Sequence, residues 1–584
     1  MGTAGLSTLY AGVQLYKRRK IKDRALSRAE KTRQNLESLK KKLLLLKEQE
    51  EITQLSFSQL FQKLQTGQLK VLDVLHSYQI KAITENERIN AITDIIQLSE
   101  SIAEKLDTYS NTSTYVKPLL YGIPISVKES CGLEGEDCTA GFSALVDKAK
   151  VEDSVLIKVL KLQGAIPFIR TNLPQGMRSF SCTNPVYGET RNPLSTSRSP
   201  GGSSGGEGAI IGAGGSVLGV GSDIGGSIRI PASFCGVCAL KPTSGRLSSV
   251  GNFGTTTIGG QQLIRGTDGP MGRDVTSLVH FMKSVLGKEM FTLDPTVPPI
   301  PFNDKVFESK EPLRIGYYVY DGCTHCVPAV ERAVLIAKTV LHNLGHTLIE
   351  IQPYKPFYAF SELFVPALFG DDCESYRDLL AHESPGQEMH TIYQLCQLPY
   401  FVRWTMSKLK EFTSFDPMNE CVVKRRPIRS LTDWFRKTVE CKTYQLEFNT
   451  EWIKQKVDAV ICPCMPCVAP QIGIEKDLFG RLNSSISVIF LEQHPFRTLS
   501  YTSLYNVVNY PAGTLPVTKV TASDVAKTMS STFYKPETNI EKLIQEDSDG
   551  TEGLPVGIQI VARPYQEEVV LRVMLDLETA LRMH

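Results

Sequence analysis

The chain has no hydrophobic run long enough to cross a bilayer. Its first apolar stretch, from Gly2 to Tyr16, is uncharged but only mildly apolar, and it falls below the roughly 18–20 residues that a spanning helix requires. This stretch also lacks a basic front end and an evident small-residue cleavage site, so we expect no secretory signal. Leu6 stands where a myristoylation motif requires Ser or Thr. Any attachment to a membrane is therefore expected to be peripheral or monotopic.

Excess charge is also scarce, because the formal net charge is only +2 over 584 residues. We expect no nucleic-acid partner. The positive charge is unevenly placed: residues 17–47 carry 13 Lys or Arg and 3 Asp or Glu, a local charge of +10, so the remainder carries −8. This arm is interpreted either as a solvated helix or disordered segment, or as a segment attracted to an anionic membrane surface.

The 14 cysteines do not fall into the spacing of a small disulfide framework. Three Cys-x-x-Cys pairs, at 235/238, 323/326 and 464/467, lie far apart in the sequence, and the first lies in an apolar run. We therefore interpret them as buried thiols in a reducing compartment and predict neither a metal site nor a cofactor.

The pattern of apolar residues predicts an α/β protein. Residues 57–108 have helical spacing, and from about 119 to 293 short β-rich runs alternate with glycine turns and helices. We predict helices at 154–163 and 328–343, a linker at 295–312 and an exposed loop or edge at 537–552. The domain boundaries predicted are a mildly apolar segment 1–16, a basic helical arm 17–55 and one catalytic domain 56–584. The predicted strands include 123–127, 165–169, 217–220, 457–462 and 556–561.

Two glycine-dense segments and one lysine carry the chemistry. The segments are Ser199-Pro-Gly-Gly-Ser-Ser-Gly-Gly-Glu and Gly219-Val-Gly-Ser-Asp-Ile-Gly-Gly-Ser-Ile-Arg-Ile-Pro, and Lys128 follows the apolar run 123–127. Glycine turns can present hydroxyl and backbone N–H groups together. A lysine at the end of a buried strand is poorly solvated, which lowers its pKa and lets the neutral amine act as a base. These parts suit a hydrolase that uses serine and lysine without histidine.

Other motifs fit this region less well. Residues 201–205 match the Gly-x-Ser-x-Gly pattern of a nucleophile elbow, but a polar, proline-broken segment precedes them where that elbow requires a strand. The region also lacks the Gly-Lys-Ser/Thr of a phosphate-binding loop.

These segments closely resemble those of the amidase-signature family. The resemblance runs from about residue 57 to the C-terminus, with the signature core at about 119–260. Landmarks within 160–165, 294–299 and 564–568 are similar to the animal, membrane-associated fatty-acid amide hydrolases. The resemblance implies a single α/β domain with a mixed, twisted central sheet covered by helices. It also implies roles for individual residues: Ser227 as the nucleophile, Ser203 as the bridging serine behind a cis peptide bond, and Lys128 as the base. The implied substrate contacts are Ser203, Met177 near the substrate carbonyl, and the oxyanion-hole residues Ile224, Gly225, Gly226 and Ser227.

The resemblance implies a serine hydrolase that cleaves lipid amides, N-acylethanolamines and primary fatty-acid amides, to a free fatty acid and an amine. It would act at an intracellular membrane, on the cytosolic face of the endoplasmic reticulum or another endomembrane, with a homodimer allowed. The alternatives are another amidase-signature enzyme, either a general amidase or an amidotransferase subunit, and a non-catalytic lipid-binding protein.

Aromatic and basic residues at about 390–440 match the position of the membrane-binding cap in these relatives, although an ordinary core helix remains the alternative. Phenylalanines and leucines at 357–369 are candidates for an acyl channel. Arg178 stands where an apolar residue is expected beside Met177, Tyr565 replaces an expected tryptophan, and residues 482–499 resemble an insertion. These departures affect the choice of acyl chain more than the chemistry.

Overall fold

A large mixed β-sheet runs through the centre of the computed structural model, which describes residues 2–43, 50–110, 112, 114–256, 262–406, 428–473 and 498–582. The strands are β1 Ile92–Ile95, β2 Pro124–Lys128, β3 Ile166–Thr171, β4 Thr183–Asn184, β5 Gly188–Glu189, β6 Leu218–Asp223, β7 Cys238–Lys241, β8 Thr267–Gly272, β9 Arg314–Tyr317, β10 Thr347–Glu350, β11 Ala459–Pro463, β12 Ala512–Lys519 and β13 Pro555–Ala562.

Eleven of these strands form one sheet in the order β1-β3-β2-β6-β8-β7-β12-β13-β11-β9-β10. Parallel pairing joins β3, β2 and β6, and also β11, β9 and β10, whereas the pairs from β6 through β8, β7, β12 and β13 to β11 are antiparallel. All residues of β2 and of β13 are buried, as expected for apolar strands covered on both faces.

Helices cover the sheet. The longer ones are Gly2–Leu43, Phe57–Gln65, Val71–Ile89, Ser99–Ser110, Val155–Leu162, Gly205–Gly212, Val275–Val285, Pro328–Asn343, Gln387–Gln397, Leu431–Gln455, Ser500–Val507, Ala522–Met529, Asn539–Asp547 and Glu567–Arg582. Shorter helices are Glu50–Gln54, Arg229–Cys235, Phe253–Thr256, Lys288–Leu293, Asp304–Phe307, Pro356–Tyr358, Val365–Phe369, Glu374–Arg377 and Tyr400–Met406, together with 3₁₀ turns at Ser143–Leu145 and Gln175–Met177 and a π-helical turn at Ala359–Phe364.

The predicted α/β architecture is confirmed, and most predicted elements have counterparts within a few residues. Two predictions are wrong. Residues 57–108 are not continuously helical, because the buried strand β1 separates two helices there. Residues 537–552 are not simply an exposed loop or edge, because they contain helix Asn539–Asp547, which buries Ile540 and Ile544.

The basic arm forms part of the long helix Gly2–Leu43, whose second half packs against the body of the protein. Ala25 and Leu43 are buried. Arg28 forms an ion pair of 2.5 Å with Asp94 in β1, and Lys40 and Lys42 pair with Glu87 and Glu100. Residues 15–20 are exposed. No helix within the described ranges is long and apolar enough to cross a membrane.

Candidate active site

Two parallel strands bring a lysine and a serine to the same edge of the sheet. β2 and β6 pair in parallel, with Val127 opposite Val220, so their carboxyl ends lie side by side. Lys128 is the last residue of β2, and Ser222 lies one residue before the end of β6. The Lys128 Nζ atom lies 2.9 Å from Ser222 Oγ.

The Lys128 amino group is fully buried and surrounded by hydroxyl groups. Besides Ser222, it contacts Ser203 Oγ at 2.7 Å and Ser204 Oγ at 3.1 Å. Burial lowers the pKa of Lys128 from its usual 10.5 to about 8, while nearby Cys131 and Asp268 oppose the shift only in part. The neutral amine that a base requires is therefore much more accessible near physiological pH than it is for an ordinary lysine.

Glycines before Ser203 allow the serine loop to approach its neighbours closely. The Gly202–Ser203 peptide bond is cis, as the resemblance implies, and Gly201 has φ of +82°. A Cβ atom on Gly202 would lie 2.5 Å from the carbonyl oxygen of Ser181 and 2.6 Å from that of Ser179. Only glycine fits there without displacing backbone, so the loop that carries Ser203 is tightly fixed.

The loop after β6 is held by a buried ion pair. Arg229 Nε lies 3.0 Å from Asp223 Oδ2, and both side chains are fully buried. Burial alone would raise the pKa of Asp223, but the charge and hydrogen bonds of Arg229 outweigh it and hold this pKa well below its usual range. Asp223 also accepts the backbone N–H groups of Gly226 at 2.8 Å and Ile228 at 3.1 Å. The ion pair thus fixes the turn on which Ser227 lies.

The four predicted oxyanion donors differ in their present hydrogen bonds. The N–H group of Gly226 already donates to Asp223. For Ile224, Gly225 and Ser227, the described part of the chain offers no protein acceptor for the backbone N–H. A Cβ on Gly225 would lie 2.5 Å from the ring of Phe364, so glycine is needed there for packing as well.

A cavity of about 680 Å³ joins most of the predicted residues. Ser203, Ser227, Ile224 and Met177 line it, whereas Lys128 lies outside the described lining and reaches the cavity through Ser203. Gly225 and Gly226 are likewise absent from the described lining, although they sit on the same turn.

Two buried acids near Lys128 were not predicted. Glu207 accepts hydrogen bonds of 2.6 Å from Ser126 and Thr171, and burial raises its pKa to about 7. Burial also raises the pKa of Asp268 to about 6, while Asn252 donates to its carboxyl group at 2.7 Å. Glu207 lies within a glycine-dense segment, so the sequence offered a signal for it, as it did for Ser222. Only the fold brings these residues close to Lys128.

The candidate cap and channel residues have mixed outcomes. Phe401 and Trp404 are exposed, at 70% and 49%, and Phe435 is 58% exposed. Phe412 and the basic residues at 408, 410, 425 and 426 lie outside the described residues, as do residues 482–497 of the apparent insertion. Of the channel candidates, Leu368 lines the cavity, whereas Phe360, Leu363, Phe364 and Phe369 are buried and lie outside the described lining.

Comparison with protein families gives a match to the amidase family over residues 73–571. The chain is 36% identical to fatty-acid amide hydrolase 1 of Sus scrofa over 532 residues, which covers 90% of this chain and 85% of that protein. It is 34% identical to fatty acid amide hydrolase 1 of Caenorhabditis elegans, with 91% and 89% covered.

Among solved structures, one of a fatty acid amide hydrolase superposes with a TM-score of 0.75 at 24% identity, covering 98% of this chain and 96% of that one. A 6-aminohexanoate cyclic dimer hydrolase complexed with substrate has a TM-score of 0.66 at 22% identity, with 91% and 97% covered. At these identities the structural likeness concerns the fold, namely the mixed central sheet covered by helices.

Proposed function

The chain belongs to the amidase family and is a hydrolase homologous to the fatty-acid amide hydrolases, and from that premise we propose that it cleaves fatty-acid amides with Ser227 as the nucleophile. The substrates we propose are N-acylethanolamines and primary fatty-acid amides, and the products are a free fatty acid and an amine. The observation that carries the proposal is the 2.7 Å contact between the buried Lys128 amine and Ser203, which shares one cavity with Ser227.

In the proposed mechanism, neutral Lys128 takes a proton from Ser203 while Ser203 takes one from Ser227. The Ser227 oxygen attacks the amide carbonyl, and the negative charge that develops on the carbonyl oxygen is stabilised by backbone N–H groups. We assign this contact to Ile224, Gly225 and Ser227, because the Gly226 N–H is engaged by Asp223. The relay then returns a proton to the departing amine, and water releases the fatty acid from Ser227.

Two observations support a lipid amide as the substrate. Apolar side chains form part of the described cavity wall, and two relatives at 36% and 34% identity are named as fatty-acid amide hydrolases. The binding free energy of a long acyl chain becomes more favourable by about 0.8 kcal/mol for each CH₂ group that is buried against such a wall. The apolar lining includes Met177, Leu247, Val297, Pro366, Ala367, Leu368, Ile428 and Trp434.

The test is to incubate the purified protein with N-oleoylethanolamine and with oleamide, and to measure free oleic acid by mass spectrometry. A fluorophosphonate probe should label the wild type at Ser227, and Ser227→Ala should abolish both labelling and hydrolysis. Cys182→Ala, which alters a buried thiol near the serine loop, serves as the control for nonspecific loss. Equal labelling in the wild type and in Ser227→Ala would overturn the assignment.

We also propose that the protein associates with the surface of a membrane. Exposed Leu15 and Tyr16 precede the basic residues at 17–20, and exposed Phe401, Trp404 and Phe435 form a second group of aromatic residues. Aromatic rings beside basic side chains suit the interface between lipid and water.

A further inference from the structure

One wall of the reaction cavity carries an arginine with an unpaired nitrogen. Arg178 lines the cavity that Ser203 and Ser227 also line. Its Nη1 atom is buried and has no hydrogen-bond partner among the described residues. A buried donor without a partner carries a desolvation penalty, which is largest for charged groups.

The guanidinium group is held firmly on its other side. Its Nε donates a hydrogen bond of 2.9 Å to Tyr376 Oη. Its central carbon lies 5.7 Å from the ring centre of Tyr376 and 5.7 Å from that of Phe369. Contacts of a cation with two aromatic faces fix its position without neutralising its charge. The unpaired nitrogen is therefore part of an ordered group.

No protein carboxylate neutralises this charge within the described part of the chain. No Asp or Glu oxygen there lies within 4.0 Å of the Arg178 guanidinium. Asp371 lines the same cavity, but its carboxylate accepts the backbone N–H groups of Cys373 and Ser375, each at 3.0 Å. Nη1 is too enclosed for a ligand to reach, but Nη2 also has no hydrogen-bond partner among the described residues and is not fully enclosed. Nη2 is therefore the donor that a ligand in the cavity can bind.

The segment that follows Arg178 packs directly against the serine loop. The carbonyl oxygen of Ser179 would lie 2.6 Å from a Cβ on Gly202, the residue before Ser203. Arg178 thus adjoins the machinery that would cleave the amide, and a ligand bound to it would occupy the same cavity as the substrate.

We propose that Arg178 binds a carboxylate of the substrate, so that amides carrying a carboxylate are cleaved in preference to neutral amides of the same chain length. The inference rests on the amidase activity proposed above and names a substrate class for it. A guanidinium nitrogen gives a carboxylate a charge-assisted hydrogen bond, which is roughly twice as strong as a hydrogen bond between neutral groups. The carboxylate can belong to the amine part, as in an N-acyl amino acid, or to the far end of the acyl chain, as in a dicarboxylic acid amide.

The experiment compares kcat/KM for two matched pairs of substrates. N-oleoylglycine against N-oleoylethanolamine places the carboxylate in the amine part, and the monoethanolamide of octadecanedioic acid against N-stearoylethanolamine places it on the acyl chain. In the wild type, kcat/KM should be higher for the carboxylate-bearing amide than for its neutral counterpart in one of the two pairs. Arg178→Met should lower that ratio by roughly tenfold or more, because a charge-assisted hydrogen bond is lost, and Arg178→Lys should retain part of it. The neutral member of each pair normalises any loss of folded enzyme.

Arg265 provides the matched control, because it is a second, exposed arginine in the cavity lining. Arg265→Met should have the same ratio of kcat/KM values as the wild type. Fluorophosphonate labelling of each variant shows that its serine site is folded. A ratio that is unchanged in Arg178→Met, or that falls in Arg265→Met instead, overturns the inference while amidase activity on the neutral amides stands. Failure of the wild type to cleave any of the four amides overturns the proposed function, and this inference with it.

Discussion

Lys128 couples the proposed reaction to pH through its own protonation. Its pKa is lowered to about 8 by burial, so the amine is mostly charged below that pH and mostly neutral above it. Only the neutral form can accept a proton. We therefore expect kcat/KM for a neutral amide to rise as pH increases through about 8 and then to level off. Measurement of kcat/KM between pH 6 and pH 10 tests this, and a flat profile would contradict the base role.

Ser203 and Ser204 both contact the lysine, but only Ser203 lines the cavity. Ser203→Ala should remove the proton relay and lower kcat for amide hydrolysis by about 10²–10⁴, the usual contribution of acid–base catalysis. Ser204→Ala should cost less than about tenfold, because it removes one supporting hydrogen bond. Steady-state kinetics on oleamide measure both variants. A larger loss of kcat in Ser204→Ala than in Ser203→Ala would show that Ser203 is not the bridging serine.

At the level of residues, the sequence indicated the parts of the site better than their connections. Glycines and apolar neighbours singled out the segments that contain Lys128, Ser203 and Ser227, and the resemblance to the amidase-signature family gave each of these residues its predicted role. Arg229 was not assigned a role although its ion-pair partner Asp223 lies only six residues away, because the rest of its anchorage, such as Asn506 at 2.6 Å and 277 residues away, exists only in the folded chain. Hydrogen bonds between distant segments leave no spacing to detect.

At the level of elements, a buried ion pair is the strongest polar contact among those that dock the N-terminal helix. Arg28 is 7% exposed and Asp94 is slightly more buried, whereas Lys40 and Glu87 form their pair in solvent. Loss of one partner from a buried pair costs about 3–5 kcal/mol, and an exposed pair contributes about 0–1 kcal/mol. Asp94→Ala should therefore release the helix and speed trypsin cleavage between residues 17 and 42.

Glu87→Ala is the control for that experiment, and its cleavage rate should stay close to that of the wild type. The time course of limited proteolysis, followed by mass spectrometry of the fragments, measures both variants. Similar rates in Asp94→Ala and in the wild type would show that Arg28 does not hold the helix.

The two wrong element predictions have different physical origins. Helix Asn539–Asp547 begins with a capping box in which Thr538 and Glu541 bond to each other's backbone N–H. This Thr-x-x-Glu pattern was present in the sequence and predicts a helix start, but the polar composition of the segment obscured it. Strand β1 gave no such signal, because its four buried residues include Asp94. The charge of Asp94 is acceptable there because it pairs with Arg28 and accepts hydrogen bonds from Asn35 and the Ile95 backbone.

At the level of the whole molecule, only part of the basic arm is available to a membrane. Arg28, Lys40 and Lys42 are already paired with the body of the protein. Lys17, Arg18, Arg19 and Lys20 are exposed and make no ion pair within the described ranges. Binding to an anionic surface should therefore depend on this outer cluster, at about 1 kcal/mol for each basic residue, and salt should weaken it.

The corresponding variant combines Lys17→Gln, Arg18→Gln, Arg19→Gln and Lys20→Gln. It should lose most of the salt-sensitive co-sedimentation with anionic vesicles, while Lys40→Gln with Lys42→Gln should lose little. Vesicles without anionic lipid report what the exposed aromatic residues contribute. Co-sedimentation of the fourfold variant with wild-type salt dependence would exclude the arm from membrane binding.

The N-terminal helix also shields the border of the sheet. β1 is a terminal strand, and Thr32 Oγ1 donates a hydrogen bond of 2.7 Å to the carbonyl oxygen of Thr93 within it. A bare terminal strand offers unpaired backbone groups to other copies of the chain, which is a common route to aggregation. A variant that lacks residues 1–43 should thus precipitate through pairing of exposed strands. Detergent should not restore its solubility. Removing the arm to make the protein more soluble would therefore expose a strand edge through which copies of the chain can associate.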